Sequence, residues 1–348
     1  MITLVFLGTL LLGCGGAKVE ETTILNPTNN PKGVQGKIAV NTADAGEEMN
    51  STIGQTKASS FSTAQDIEKT MVFLTSDELQ GRDTGSEGIS MAADYIQKIF
   101  EENALNPYFA SYRDTLTGYE GGVAYNMVGY LPGTDAKLKN EFVVIGAHYD
   151  HIGVLATQAG DSIANGANDN ASGTTVVLEL AKYFGKNKTN KRSLIFALFT
   201  AEEKGLVGSK HLANRLKEKD LDLYTMLNFE MVGVPMVNKD HSLYLTGYEL
   251  SNLAELSNAY AQKNLVGFLP KAKEFNLFRR SDNAPFHDVF NVPSQTYSSF
   301  DFTNFEFYHQ VGDEAPKMDY GFMADTVNEL IPMLTGIINA PTKEVNYN

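Results

Sequence analysis

Apolar positions fall into three regimes along the chain. From Met1 to Gly13 they run almost unbroken (MITLVFLGTLLLG) and stop at the only cysteine, Cys14. From Gly15 to about residue 60 they thin into a stretch rich in Gly, Thr, Asn, Ala and Lys with no sustained period, which is a linker composition. From Phe61 onward they return in regular patterns. Ile67, Met71, Leu74 and Leu79 form a helical stripe over Asp66–Leu79 that closes at Gly81, and Met91–Phe100 reads as a second helix. Phe142–Ala147 (FVVIGA) and Ser193–Phe199 (SLIFALF) are short continuous apolar runs, the signature of strands buried on both faces. Thr175–Phe184, between them, is helical and apolar nearly all round. Tyr224–Val232 is a further strand, Leu250–Ala261 a helix, VPSQTY (292–297) strand-like, and Asp319–Ile338 a closing helix. Strand and helix in alternation predict an α/β fold, with a mixed, largely parallel central sheet flanked by helices on both faces, in one domain over 61–348. In such sheets function gathers beyond the carboxyl ends of the strands. There is no internal repeat.

Composition changes the picture in two places. The chain has 348 residues, 43% of them hydrophobic and 20% charged, enough for a substantial core and ordinary for a globular protein. Its formal net charge of −14 repels phosphate backbones, which argues against nucleic acid as a partner, and also serves solubility. The opening apolar run is too short to cross a bilayer as a helix, which takes roughly 20 residues, but it suits an export signal. Leu11-Leu12-Gly13-Cys14 resembles the bacterial lipobox. The resemblance implies cleavage before Cys14, a lipid on Cys14 that holds the protein at a membrane, and an extracytoplasmic place in the cell envelope. Residues 1–13 are then a signal peptide and 14–60 a flexible linker; the rival reading is an ordinary cleaved signal. With one cysteine no disulfide can form within the chain.

The strand runs end in one kind of residue. FVVIGA leads into His148-Tyr149-Asp150-His151, SLIFALF into Glu202-Glu203, and YTMLNF into Glu230. Asn165-Gly166-Ala167-Asn168-Asp169-Asn170 precedes the buried helix, and Tyr308-His309 follows VPSQTY. Imidazoles and carboxylates at one rim of one sheet are the donor set for zinc. Apolar strands beneath them make unpaired charge costly, and a divalent cation offsets it. No G-x-S-x-G motif offers a covalent nucleophile.

In order and spacing, LTSDELQGRDTGSEG, GAHYDHIG, GANDNASG, FTAEEKGLVGS, NFEMVG and YHQVGDE resemble the motifs of the M28 metallopeptidases, from about Leu74 to near residue 338. The resemblance implies the phosphorylase/hydrolase-like fold of the zinc exopeptidases, peptide substrates, and release of N-terminal residues. It implies that Asp169 bridges two zinc ions, with Glu203 and His309 completing one site and His148 and Glu230 the other. One ion is possible instead, because Glu230 stands where the family usually has aspartate. The resemblance further makes Glu202 the general base, Asp150 the carboxylate that holds the His148 imidazole, Tyr308 the donor to the developing oxyanion, and the Asp169–Asn170 peptide cis. Asp169 has a rival reading as a helix N-cap. Asn283 stands where many relatives have histidine, and His287 is a candidate to compensate. Arg279 and Arg280 are either a carboxylate grip or a solvated pair. His151, His211 and His241 read as residues outside the chemistry. The alternatives are a single-zinc glutaminyl cyclase, a non-catalytic binding lipoprotein on the same fold, and carboxypeptidase or dipeptidase specificity.

Overall fold

The longest apolar runs become the middle of a sheet. The computed structural model describes residues 60–158 and 160–348; the expected signal peptide, the expected lipid site at Cys14 and the expected linker up to residue 59 lie outside the described residues. The strands are β1 (Asn106–Pro107), β2 (Arg113–Thr115), β3 (Tyr125–Leu131), β4 (Glu141–His148), β5 (Gly153–Gln158), β6 (Asp161–Ala164), β7 (Ser193–Phe199), β8 (Asp222–Phe229), β9 (Leu243–Leu245), β10 (Val266–Gly267) and β11 (Ser294–Ser298). The helices are α1 (Ala64–Leu74), α2 (Glu87–Glu102), α3 (Gly173–Asn187), α4 (Val207–Glu218), α5 (Leu253–Ala261), α6 (Pro270–Glu274), α7 (Asn283–Phe290) and α8 (Tyr320–Asn339). The sheet runs β1-β3-β7-β4-β8-β11-β9-β10, with β2 on β3 and a separate β5–β6 hairpin. Its central strands β7, β4, β8 and β11 are mutually parallel, while β3 and β9 flank them antiparallel. The expected mixed, largely parallel sheet is therefore present.

Alternation along β4 shows both faces covered. Val143, Ile145 and Ala147 pack into one buried cluster with α1, α2, α3 and α8, while Val144 packs into another with Leu212 and Leu216 of α4 and Phe286 of α7. Side chains two apart on a strand share a face, so an apolar run without polar alternation needs helices on both sides. Because the central strands are parallel, the residues just after β4, β7, β8 and β11 reach one rim. Among the described residues, no helix is long and apolar enough to cross a membrane.

The first helix differs from expectation. It stops at Leu74, not at Leu79, because the Thr75 hydroxyl donates to the Met71 carbonyl at 2.7 Å and the chain then turns through Asp77–Arg82, where Gln80 and Gly81 are left-handed. That turn drives Arg82 inward, where it is 1% exposed.

Candidate metal centre

Each motif arrives at the rim by a traceable route. Strand β4 ends in His148, in register with Phe199 at the end of β7, and β8 ends one residue before Glu230. Asp169 comes from an irregular turn at Ala167–Ser172 that leads into α3, and the Asp169–Asn170 peptide is cis. Gly166 opens this turn in the left-handed region at φ +57°, and a Cβ there would lie 2.5 Å from the His151 ring. Gly173 lets α3 start against the end of β8, since its Cβ would meet the Phe229 carbonyl at 2.3 Å. The helix-capping reading of Asp169 passes to its neighbour: Asn170 Oδ1 accepts from the N–H groups of Gly173 at 3.0 Å and Met231 at 3.1 Å.

The side chains fall into two donor groups. His148, Glu202 and Glu230 form one and His151, Asp169 and Glu203 the other, with the donor atoms of each group within 4.8 Å of one another. The Asp169 carboxylate faces both ways. Its Oδ1 lies 3.3 Å from His148 Nε2 and its Oδ2 lies 3.1 Å from His309 Nε2. His309 Nε2 is also 3.1 Å from Glu203 Oε2. His148, Asp169, Glu203, Glu230 and His309 thus converge, and Glu202 sits with them. Tyr308 stacks its ring on His309 at 4.0 Å between centroids and on Phe300 at 5.7 Å.

Asp150 is placed differently from expectation. His148 Nδ1 lies 3.1 Å from the Asp150 backbone carbonyl, while the nearest Asp150 carboxylate oxygen is 3.7 Å away. The strand ends at His148, so extended alternation no longer governs residue 150. Its carboxylate instead accepts the backbone N–H groups of Glu202 at 3.2 Å and Glu203 at 3.4 Å, and the Thr84 hydroxyl at 3.1 Å. Asp150 therefore positions the glutamate pair as well as the imidazole.

Three residues assigned no chemical role from sequence shape the site. His151 is fully buried and its Nδ1 lies 2.9 Å from Glu203 Oε1. The Asp313 carboxylate accepts the N–H groups of Asn168 at 2.7 Å and Asp169 at 3.0 Å, fixing the turn that carries Asp169. Arg82 donates to the carbonyls of Tyr149 at 2.9 Å, Asn165 at 2.7 Å and Gly166 at 3.0 Å, and to that of Leu74. Burial pulls its guanidinium down to about 10. Asn283 and His287 stand apart: Asn283 is buried on Phe278 and Ser294 carbonyls, and His287 bonds the Tyr347 hydroxyl at 2.7 Å.

The electrostatics divide along the same line. Burial raises Asp169, but the adjacent His148 and His309 imidazoles outweigh that and hold it well below the carboxylate range. Burial and Asp169 push Glu203 up, yet His151 and His309 leave it lowered. His309, bonded to Asp169 and Glu203, rises to about 10. On the other side, burial pushes Glu230 up to about 7 against the pull of His148, and raises Glu202 well above its usual value. Asp282, buried beside them with both carboxylate oxygens unpartnered, is also pushed to about 7. His148 Nε2 is buried without a hydrogen-bond partner. An orphaned imidazole nitrogen facing crowded carboxylates fits a divalent cation, and nitrogen–oxygen donors suit zinc.

An α/β sheet with paired histidine–carboxylate groups at its carboxyl rim has the layout of a metal-dependent hydrolase. The chain belongs to peptidase family M28, whose sequence profile matches residues 126–333. Aminopeptidase YwaD of Bacillus subtilis is 32% identical over 177 residues, 50% of this chain and 35% of that protein. The chain thus spans about a third of the first curated relatives it matches. A probable leucine aminopeptidase of Arthroderma otae is 24% identical over 74% of this chain and 68% of its own. Among solved structures, the zinc aminopeptidase BSAP of Bacillus subtilis superimposes with a TM-score of 0.62 at 16% identity, covering 80% of this chain and 96% of its own. At that identity the likeness is one of fold.

Proposed function

We propose that the chain is a two-zinc exopeptidase that releases N-terminal residues from peptides. The observation that carries this reading is the Asp169 carboxylate shared between His148 at 3.3 Å and His309 at 3.1 Å. His148, Asp169 and Glu230 would hold one ion, and His309, Asp169 and Glu203 the other. Zinc supplies a polarised substrate carbonyl and a water acidic enough to react near neutrality. The chain's own residues supply the rest. Glu202, raised by burial, stands beside His148 and Glu230, where it can take a proton from the attacking water and deliver it to the leaving amine. Asp150 steadies it through the Glu202 N–H. Tyr308, held on His309 and Phe300, keeps its proton because burial and Asp169 raise it, and so can donate to the oxygen that gains charge.

The test is metal content against turnover. The purified chain should hold two zinc ions, lose activity to a chelator and regain it with zinc, and cleave aminoacyl amides only when the α-amine is free. One ion with cyclisation of N-terminal glutamine would replace this reading with the transferase; no turnover would leave a binding protein. From Leu11–Cys14 alone we also propose a lipid anchor at the extracytoplasmic face of the envelope, tested by labelled fatty acid incorporated by the wild type and not by Cys14→Ser.

A further inference from the structure

A cavity of about 80 Å³ opens beside the His148–Glu202–Glu230 group, with Glu230 and Tyr308 among its lining residues. Its walls include Tyr244, Leu277, Phe300 and Phe302, which suit the methylenes of a substrate. Arg280 is the sole cationic residue lining it. The two adjacent arginines have separate fates. Arg279 pairs with Asp288 at 2.6 Å, while among the described residues Arg280 has no ion-pair partner.

The backbone that carries Arg280 is anchored beside the site. Its N–H donates to the Leu277 carbonyl at 3.0 Å. The next residue, Ser281, bonds Glu230 through its hydroxyl, which also accepts from Asn228 at 2.8 Å. The backbone that bears Arg280 is thus one residue from a direct contact to a site carboxylate. Asp169, Glu203 and Glu230 would face the ions and Glu202 the reacting water. The exposed guanidinium then remains as a positive charge in the cavity wall, with no acidic partner among the described residues. A planar fork of donors against an apolar wall selects a carboxylate, bound bidentately, over a neutral group.

We propose that this cavity receives a substrate carboxylate and that Arg280 binds it, which rests on the exopeptidase reading. The carboxylate comes from an N-terminal Glu or Asp side chain or from the C-terminus of a dipeptide.

The test uses the zinc-loaded full chain and measures kcat/KM for two ratios. The first is glutamyl- over glutaminyl-4-nitroanilide, and the second is Leu-Leu over Leu-Leu amide. Arg280→Met should cut one of these ratios roughly ten- to a hundredfold, the range for losing a charge-assisted pair. The affected ratio identifies which carboxylate the cavity holds. Arg280→Lys should keep part of that preference as a point charge, and Arg279→Met, outside the cavity, should leave both ratios as in the wild type. Both ratios within twofold of wild type in Arg280→Met, with leucyl-4-nitroanilide still cleaved, would overturn the assignment and leave a solvated arginine. No cleavage of any amide would sink the exopeptidase reading and this inference with it.

Discussion

The two halves of the metal centre are built from the same residue types and solve opposite problems. Around Asp169 and Glu203, two imidazoles answer the carboxylates: His309 lies 3.1 Å from each and His151 2.9 Å from Glu203. Asp313, which accepts the Asp169 N–H at 3.0 Å, holds the turn and is itself pushed up to about 7 by burial. Asp169 and Glu203 stay below their ordinary range, so these two carboxylates are matched by imidazoles before any ion arrives. Around Glu202 and Glu230 a single imidazole, His148, faces two glutamates, with Asp282 buried nearby. Those groups are pushed up because burial and mutual repulsion go unanswered. The second half leaves its charge for a cation to neutralise, and it is where metal occupancy should respond most to pH and substitution.

The strongest way to break the comparison is through chemistry. Glu202→Gln keeps size and hydrogen bonding but cannot take a proton. Turnover should fall by about 10³-fold or more, a general base contributing typically 10²–10⁴. Zinc content should not change, because the residue is assigned the proton and not the ion. A variant that loses an ion along with activity would make Glu202 a ligand.

Next comes Glu230→Ala, which should remove one ion and spare the other. Deleting an outer partner of a ligand costs about 10–100-fold in metal affinity, and deleting a ligand should cost at least that. Zinc titration should show one tight site and one weakened about 100-fold or more. Equal weakening of both would mean that the halves are not separable.

A pH profile of the ion-free protein sharpens the contrast. Glu230 rises from 4.5 and Asp282 from 3.8, each to about 7. The folded chain therefore keeps protons that the unfolded chain has given up, and stability falls as pH rises. The contribution is fully present below about 4 and lost on passing through 7, worth at most about 3 kcal/mol for Glu230 and about 4 kcal/mol for Asp282. The ion-free Tm should drop between pH 5 and 8, while the zinc-loaded protein, whose carboxylates are already ionised, should not follow. Parallel curves would contradict the picture.

How much of this was legible in the sequence depends on range. The central strands and α3 and α8 were readable because runs such as FVVIGA carry their own burial pattern. Strand β3 was not: Asn126 interrupts its apolar run, and its side chain is satisfied by Asp114 at 3.1 Å, Gly208 at 3.0 Å and the Thr200 N–H at 3.2 Å, all brought close by folding. That the candidate donors gather was readable because His148, Glu202, Glu203 and Glu230 follow strand ends, while Asp169 and His309 came from the motif resemblance. His151, Asp313 and Arg82 were missed because their roles are bonds to backbone and side chains brought close by folding. Arg82, whose partners are all carbonyls, has no sequence signature beyond a charged residue after glycine. For His151 the run HYDH held a hint, a third donor in one strand-end motif.

That residue carries the smallest and most discriminating prediction. If His151 only orients Glu203, His151→Phe should keep the ring volume beside Gly166 and remove the hydrogen bond to Glu203 Oε1. Zinc affinity of the Asp169–Glu203–His309 half should then fall about tenfold, the low end for an outer-shell partner, with the His148–Glu230 half unchanged. His151→Gln, which can still donate, should recover part of that loss. A deficit of a hundredfold or more would make the imidazole a ligand in its own right. No deficit would mean that His309 and the Asp313-held turn suffice. The outcome decides whether that half is matched by two imidazoles or by one, and so how deep the contrast between the halves runs.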